Sequence, residues 1–177
     1  MALNIEVKAR VRDRDALHGL LARIAKDDPI EIHQEDTFFR VPKGRLKMRC
    51  DENGRCEVIY YERKDEKGPI LSRYFRKDVP VPSKTRRELE QRYGIKNTVK
   101  KIRQLYLLND VIPHGARVHW DNVENLGDFV EIEILVDSPR LTNRGKHAAR
   151  KLMALLHISV DDVVDTAYED LLAAKEK

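Results

Sequence analysis

Apolar and polar residues alternate through 3–11, which predicts a β-strand with one face of each kind. Asp13 then caps a predicted helix to about residue 26, with Ala16, Leu17, Leu20, Leu21 and Ile24 on one stripe. Asp28-Pro29 ends it. Strands follow at 30–39 and 46–50, around the turn Val41-Pro42-Lys43-Gly44-Arg45. Asn53-Gly54 is a strong hairpin signal and leads into a strand at 55–63. A further strand is predicted near 72–79. Pro80 and Pro82 break the pattern, and Thr85 with Glu88 reads as a capping box for a short helix ended by Gly94. Strands at 98–107 and 116–123 flank a turn at Pro113-His114-Gly115, and a strand at 129–136 follows. Thr142 or Asn143 opens a helix to about 157, and Ser159 with Asp162 caps a last one to about 174, before a frayed Lys175-Glu176-Lys177. The short connections between strands predict a mainly antiparallel sheet with flanking helices, in one domain over 1–177.

The charges within these strands separate by sign. Arg45-Leu46-Lys47-Met48-Arg49 and Lys101-Ile102-Arg103 are basic at spacing two, and Glu131-Ile132-Glu133 is acidic at the same spacing. Residues i and i+2 share a face, so each segment presents one charged wall and one apolar wall. Two arrangements fit. The charged walls face water over an ordinary sheet, or the sheet closes into a barrel whose bore is charged and whose apolar outside is covered by helices. Three features favour the closed barrel. Whole strands carry one sign, whereas solvated faces usually mix signs to avoid cross-strand repulsion. The C-terminal helices are amphipathic and suit the outside. Several strands supply Arg or Lys at spacing two, which builds a basic wall from many directions.

Composition narrows the partner. The 177 residues are 41% hydrophobic and 36% charged, with a net charge of +4. That mild excess does not call for nucleic acid; cations gathered in one bore would instead suit a small polyanion. Cys50 and Cys56 flank the hairpin turn; they are too few for a zinc site or a disulfide framework, and ordinary reduced thiols are expected over a bridge. No leader-like apolar segment or apolar run of ~18 residues is present, which predicts a soluble cytoplasmic protein with no membrane partner.

These residues resemble the CYTH superfamily, the triphosphate tunnel metalloenzymes, which include class IV adenylate cyclases, thiamine triphosphatases and inorganic triphosphatases. The family's opening strand, E-x-E-x-K, corresponds to Asn4-Ile5-Glu6-Val7-Lys8. The basic strand 45–49, then Lys101-Ile102-Arg103, His119-Trp120-Asp121 and Leu126-Gly127-Asp128-Phe129-Val130-Glu131-Ile132-Glu133 follow in the expected order. Asp36-Thr37-Phe38-Phe39 and Val41 to Lys47 place it nearest the class IV cyclase and thiamine triphosphatase group. The resemblance implies an eight-stranded closed tunnel that holds a triphosphate and Mg²⁺ or Mn²⁺. Glu6, Asp121, Glu131 and Glu133 would hold metal, and Glu6, Lys8, Glu131 and Glu133 would be catalytic. Lys8, Arg10, Lys47, Arg49, Lys101 and Arg103 would face phosphate, joined by Arg45, Arg63 and Arg73. Asn4 stands where the family has a glutamate, which weakens a second metal site.

Residue parity adds a little. His119 shares a face with Asp121 and reads as a phosphate contact, a proton relay or a wall histidine; Trp120 faces the other way, for packing under a helix. One of Tyr60 and Tyr61 faces inward. The remaining histidines share no metal-ligand spacing and read as surface or core. The expected function is a metal-dependent triphosphatase acting on ATP, thiamine triphosphate or tripolyphosphate, as a monomer or homodimer. Adenylate cyclase and a non-catalytic polyphosphate- or nucleotide-binding module are the alternatives.

Overall fold

The computed structural model describes residues 1–108 and 115–175. Eight strands form the body: β1 (Ala2–Arg10), β2 (Ile30–Phe39), β3 (Arg45–Asp51), β4 (Cys56–Arg63), β5 (Ile70–Val79), β6 (Ile95–Leu107), β7 (Ala116–Val123) and β8 (Gly127–Leu135). Their order is β5-β4-β3-β2-β6-β7-β8-β1, and β1 pairs back onto β5 from Ala2–Tyr74 to Glu6–Ile70. Every pairing is antiparallel, so the sheet is a closed barrel with no free edge in its ring. Where β5 leaves β1, a two-residue strand β9 (Val163–Val164) takes its place beside Lys8 and Ala9.

The hydrophobic core lies outside this barrel. Ile5, Val7 and Ala9 of β1 and Val130, Ile132 and Ile134 of β8 point outward. They meet Leu17 and Leu21 of α1 (Arg14–Ile24) and Ala149, Leu152 and Met153 of α3 (Thr142–Leu155). Each such aliphatic side chain contributes about 1.5–3 kcal/mol when fully buried. Gly145 permits the closest approach: a Cβ there would lie 2.7 Å from Ile5 Cγ1 and 2.9 Å from Val136 Cγ1. A second cluster, Phe39, Leu46, Met48 and Cys56, is covered by Leu89 and Tyr93 of α2 (Pro82–Tyr93).

The third cluster is inside. Phe38, Val99, Val123 and Phe129 share the parity of Asp36, Lys101, Asp121 and Glu131, and they fill one end of the bore together with Tyr168 of α4 (Tyr168–Lys175). Leu171 and Leu172 of α4 pack on that layer.

Several boundaries differ from the sequence reading. α2 begins at Pro82 rather than Thr85 and has no side-chain cap, because a proline at the first turn pre-sets φ and has no N–H to satisfy. Ser159 does cap a turn, but only the 3₁₀ segment Val160–Asp162; the β-branched pair Val163-Val164 then joins β1, and α4 starts later. Cys50 and Cys56 form a disulfide instead of remaining thiols. They are the last registered pair of the β3–β4 hairpin, with Cα atoms 4.2 Å apart. Of the Pro113-His114-Gly115 turn only Gly115 lies within the described residues, and of the final Lys175-Glu176-Lys177 only Lys175 does. No helix among the described residues is long and apolar enough to cross a membrane.

Candidate functional site in the barrel bore

The charged walls predicted from spacing two face inward. Asn4, Glu6 and Lys8 of β1, Lys47 and Arg49 of β3, Arg63 of β4, Lys101 and Arg103 of β6, His119 of β7 and Glu131 and Glu133 of β8 line one cavity of about 260 Å³. Cross-strand register sets their layout. Glu6 lies opposite Glu133, and Lys8 lies opposite Glu131. On the other side of β8, Glu133 meets Arg117 and Glu131 meets His119.

Two aspartates organise the cations. On β2, Asp36 accepts from Lys47 Nζ at 2.7 Å and from Arg49 Nε and Nη2 at 2.6 and 2.8 Å. On β7, Asp121 accepts from Lys101 Nζ at 3.0 Å and from Arg103 Nε and Nη2 at 2.6 and 2.7 Å. Each is a Lys-x-Arg fork on one strand gripped by an aspartate on the next, with bidentate guanidinium geometry. Burial alone would raise both carboxyls, but the paired cations hold both well below the usual carboxylate range. Arg103 Nη2 also reaches Glu131 Oε2 at 2.9 Å, and the Tyr168 hydroxyl donates to Asp121 at 3.1 Å.

The acidic side titrates differently. Burial, with Glu131 and Glu133 nearby, pushes Glu6 up to about 7 in spite of Arg63, whose Nη1 is 3.3 Å away. Burial would raise Glu131 too, but His119, Lys8, Arg103 and Lys101 hold it well below its ordinary value. Burial and Arg63 bring Lys8 down to about 8 despite the facing carboxylates. Burial and Arg103 bring Lys101 down to about 7.

A divalent cation fits one corner of this bore. Ligand atoms of His119, Glu131 and Glu133 all lie within 4.8 Å of one another. His119 Nδ1 and Asn4 Oδ1 are buried and have no hydrogen-bond partner among the described residues. Two carboxylates with an orphaned imidazole nitrogen are a donor set that a hard or borderline cation completes, and the orphaned Asn4 oxygen belongs to the lining of the same cavity.

Some predicted site residues lie elsewhere. Both oxygens of Asp121 are taken by Lys101, Arg103 and Tyr168, and Asp121 is not among the residues that line the cavity. Arg73 registers with Leu3 and points outward; Ser72, Tyr74 and Arg76 are the inward residues of β5. Arg10 is exposed, with its guanidinium 5.0 Å from the Phe129 ring centre. Arg45 ties α4 to the barrel through Glu169 and Asp170, also pairs with Asp65 between β4 and β5, and does not line the cavity. Tyr61 is the inward tyrosine, whereas Tyr60 bonds Glu62. Trp120 packs outside, beside His18. Sequence reasoning gave no site role to Asp36, Glu57, Arg76, Arg117 or Tyr168. Arg117 was within reach, since it stands two residues before His119 on the same face. Arg76 depended on a register that spacing alone does not fix.

A closed antiparallel barrel with a basic bore and a carboxylate–imidazole corner defines the class of protein. The chain belongs to the CYTH domain family, whose model matches residues 2–168. A Methanocaldococcus jannaschii protein, provisionally named an adenylate cyclase, is 24% identical over 96% of this chain and 98% of its own length. A conserved hypothetical protein from Pyrococcus furiosus superposes with a TM-score of 0.80, at 26% identity over 95% of this chain and 99% of that one. A Hippeastrum protein, whose structure is described as revealing a dominant triphosphatase activity, shares the fold at a TM-score of 0.64, with 15% identity over 100% of this chain and 97% of that one.

Proposed function

We propose that this chain is a metal-dependent hydrolase of triphosphate-bearing compounds. The observation that carries the reading is the pair of aspartate-braced Lys-x-Arg forks that share one bore with the His119–Glu131–Glu133 corner. A triphosphate carries about four negative charges at neutral pH, and two buried forks with Lys8 and Arg63 supply matching donors without reorganisation. The cavity of about 260 Å³ lies below the ~300–1,000 Å³ usual for whole drug-sized ligands, so it suits a phosphate tail.

In this reading Lys47, Arg49, Lys101 and Arg103 hold and orient the chain of phosphates, and Arg63 and Lys8 face the terminal group. Glu131 and Glu133 would hold Mg²⁺ or Mn²⁺, which when bound would supply charge neutralisation for phosphate and lower the pKa of water. Water attacks the terminal phosphorus, the bridging P–O bond breaks, and orthophosphate and the shortened diphosphate leave. Glu6, opposite Glu133 on β1 and facing the same cavity, is placed to take the water's proton. The Hippeastrum relative supports hydrolysis, and the Methanocaldococcus relative's name makes cyclisation the outcome to test against.

Phosphorus NMR of the protein with Mg²⁺ or Mn²⁺ and tripolyphosphate or ATP decides it. Orthophosphate release is expected. Pyrophosphate with cyclic AMP would replace the hydrolase by a cyclase. Unchanged spectra with both ions would leave a binding module.

A further inference from the structure

We infer that His119 ligates the metal through Nδ1, and that it turns the site toward Mn²⁺ over Mg²⁺. The inference rests on the metal-dependent reading above and assigns it a third protein ligand. The His119 side chain is 5% exposed, and its Nδ1 lies 3.7 Å from Glu131 Oε2 and 3.9 Å from Glu133 Oε1. Those are ion-pair separations, longer than a well-formed hydrogen bond. They match two ligands of one ion, which stand about 3–4 Å apart when each bond is about 2.1 Å. A buried nitrogen without a partner is costly, and native interiors rarely leave one so. A cation shared with the two glutamates removes that cost.

The donor type selects the ion. Mg²⁺ binds oxygen almost exclusively and keeps several of its waters. Imidazole suits the first-row transition ions, among which Mn²⁺ binds most weakly and is the one that also favours carboxylates as Mg²⁺ does, so a nitrogen added to two carboxylates helps Mn²⁺ more than Mg²⁺. The rest of the corner is not free to substitute for the imidazole. Glu131 already shares Oε2 with Arg103, and Asp121 is engaged by its own cations.

The test uses the full chain. Calorimetry with Mn²⁺ and with Mg²⁺ gives the affinity ratio for wild type and for His119→Gln, which offers an oxygen in place of the nitrogen. The ratio is expected to fall at least about tenfold. Pulsed EPR of the Mn²⁺-loaded wild type should show nitrogen coupling that changes when the histidines carry ¹⁵N; this needs no variant to fold. Glu131-dependent Mn²⁺ binding without nitrogen coupling would overturn the role of His119 and leave the metal site standing. Failure to bind either ion would overturn both.

Discussion

The two Lys-x-Arg forks use the same residues at the same spacing and the same bidentate grip, yet they sit in different surroundings. Asp121, Lys101 and Arg103 have side chains 0%, 2% and 7% exposed; Asp36, Lys47 and Arg49 are 3%, 12% and 16% exposed. The Asp121 fork is further joined to Tyr168 of α4 and, through Arg103, to Glu131. The Asp36 fork makes neither link. Enclosure and connection turn one fork into an anchor between the barrel wall, α4 and the acidic corner. Both forks line the bore, but the Asp36 fork carries no such second duty.

The largest expected effect breaks the anchor. Asp121→Asn removes the charge that two buried cations share and turns one of its two acceptor oxygens into a donor facing them, and should cost about 3–5 kcal/mol in urea unfolding. Asp36→Asn should cost less, about 3 kcal/mol, because its cations reach water more easily. An equal or larger loss in Asp36→Asn would remove the distinction. Both aspartates have folded-state pKa values below their unfolded ones, so their stabilisation is present above the usual carboxylate pKa of 3.8 and is lost as pH falls through the lowered values. Each substitution should therefore flatten the acid limb of a stability–pH curve.

Glu6 provides the opposite sign in the same bore. Its folded pKa of about 7 exceeds 4.5, so the folded state holds the extra proton between those values. The metal-free protein should lose up to about 3 kcal/mol from this group as pH rises from 4.5 to 7, and Glu6→Gln should abolish that slope. A flat profile in the wild type would show that Glu6 is ionised throughout.

Smaller effects sharpen the contrast. The Cys50–Cys56 bridge ties the strand next to Arg49, and among the described residues no bridge stands beside Arg103. Replacing both cysteines by serine should cost about 2 kcal/mol and loosen only the Asp36 fork, read as weaker tripolyphosphate binding by calorimetry. Tyr168→Phe should cost about 1 kcal/mol, and only through the Asp121 fork. A double-mutant cycle with Asp121→Asn measures that coupling, and additivity would disprove it.

The sequence made the barrel visible because strand parity and charge sign are local properties, and both hold in the strands of Lys47–Arg49, Lys101–Arg103 and Glu131–Glu133. The forks themselves were readable as Lys47–Arg49 and Lys101–Arg103. The carboxylates that grip them were harder. Asp36 stands in a strand of mixed character, and Asp121 looks like a metal ligand until its cross-strand partner Arg103 is known. Arg73 failed for a related reason: a basic residue every few positions does not reveal its face until register places Leu3 opposite it. Tyr168 entered the bore because Val163-Val164 paired with β1 and delayed the last helix, a competition that local capping signals do not report.

Closure of the ring by β1 also sets an order of events in biosynthesis. Of the barrel strands β1 is made first, yet its neighbours are β5 and β8. At about 5–20 residues per second, β8 follows β1 by roughly 6–25 s. For that interval the strand carrying Glu6 and Lys8 has no complete partner set, and its pairings span long stretches of chain, which slows folding. The bore therefore cannot gather its charges until the C-terminal half emerges, and the nascent N-terminal half is the species most in need of a chaperone.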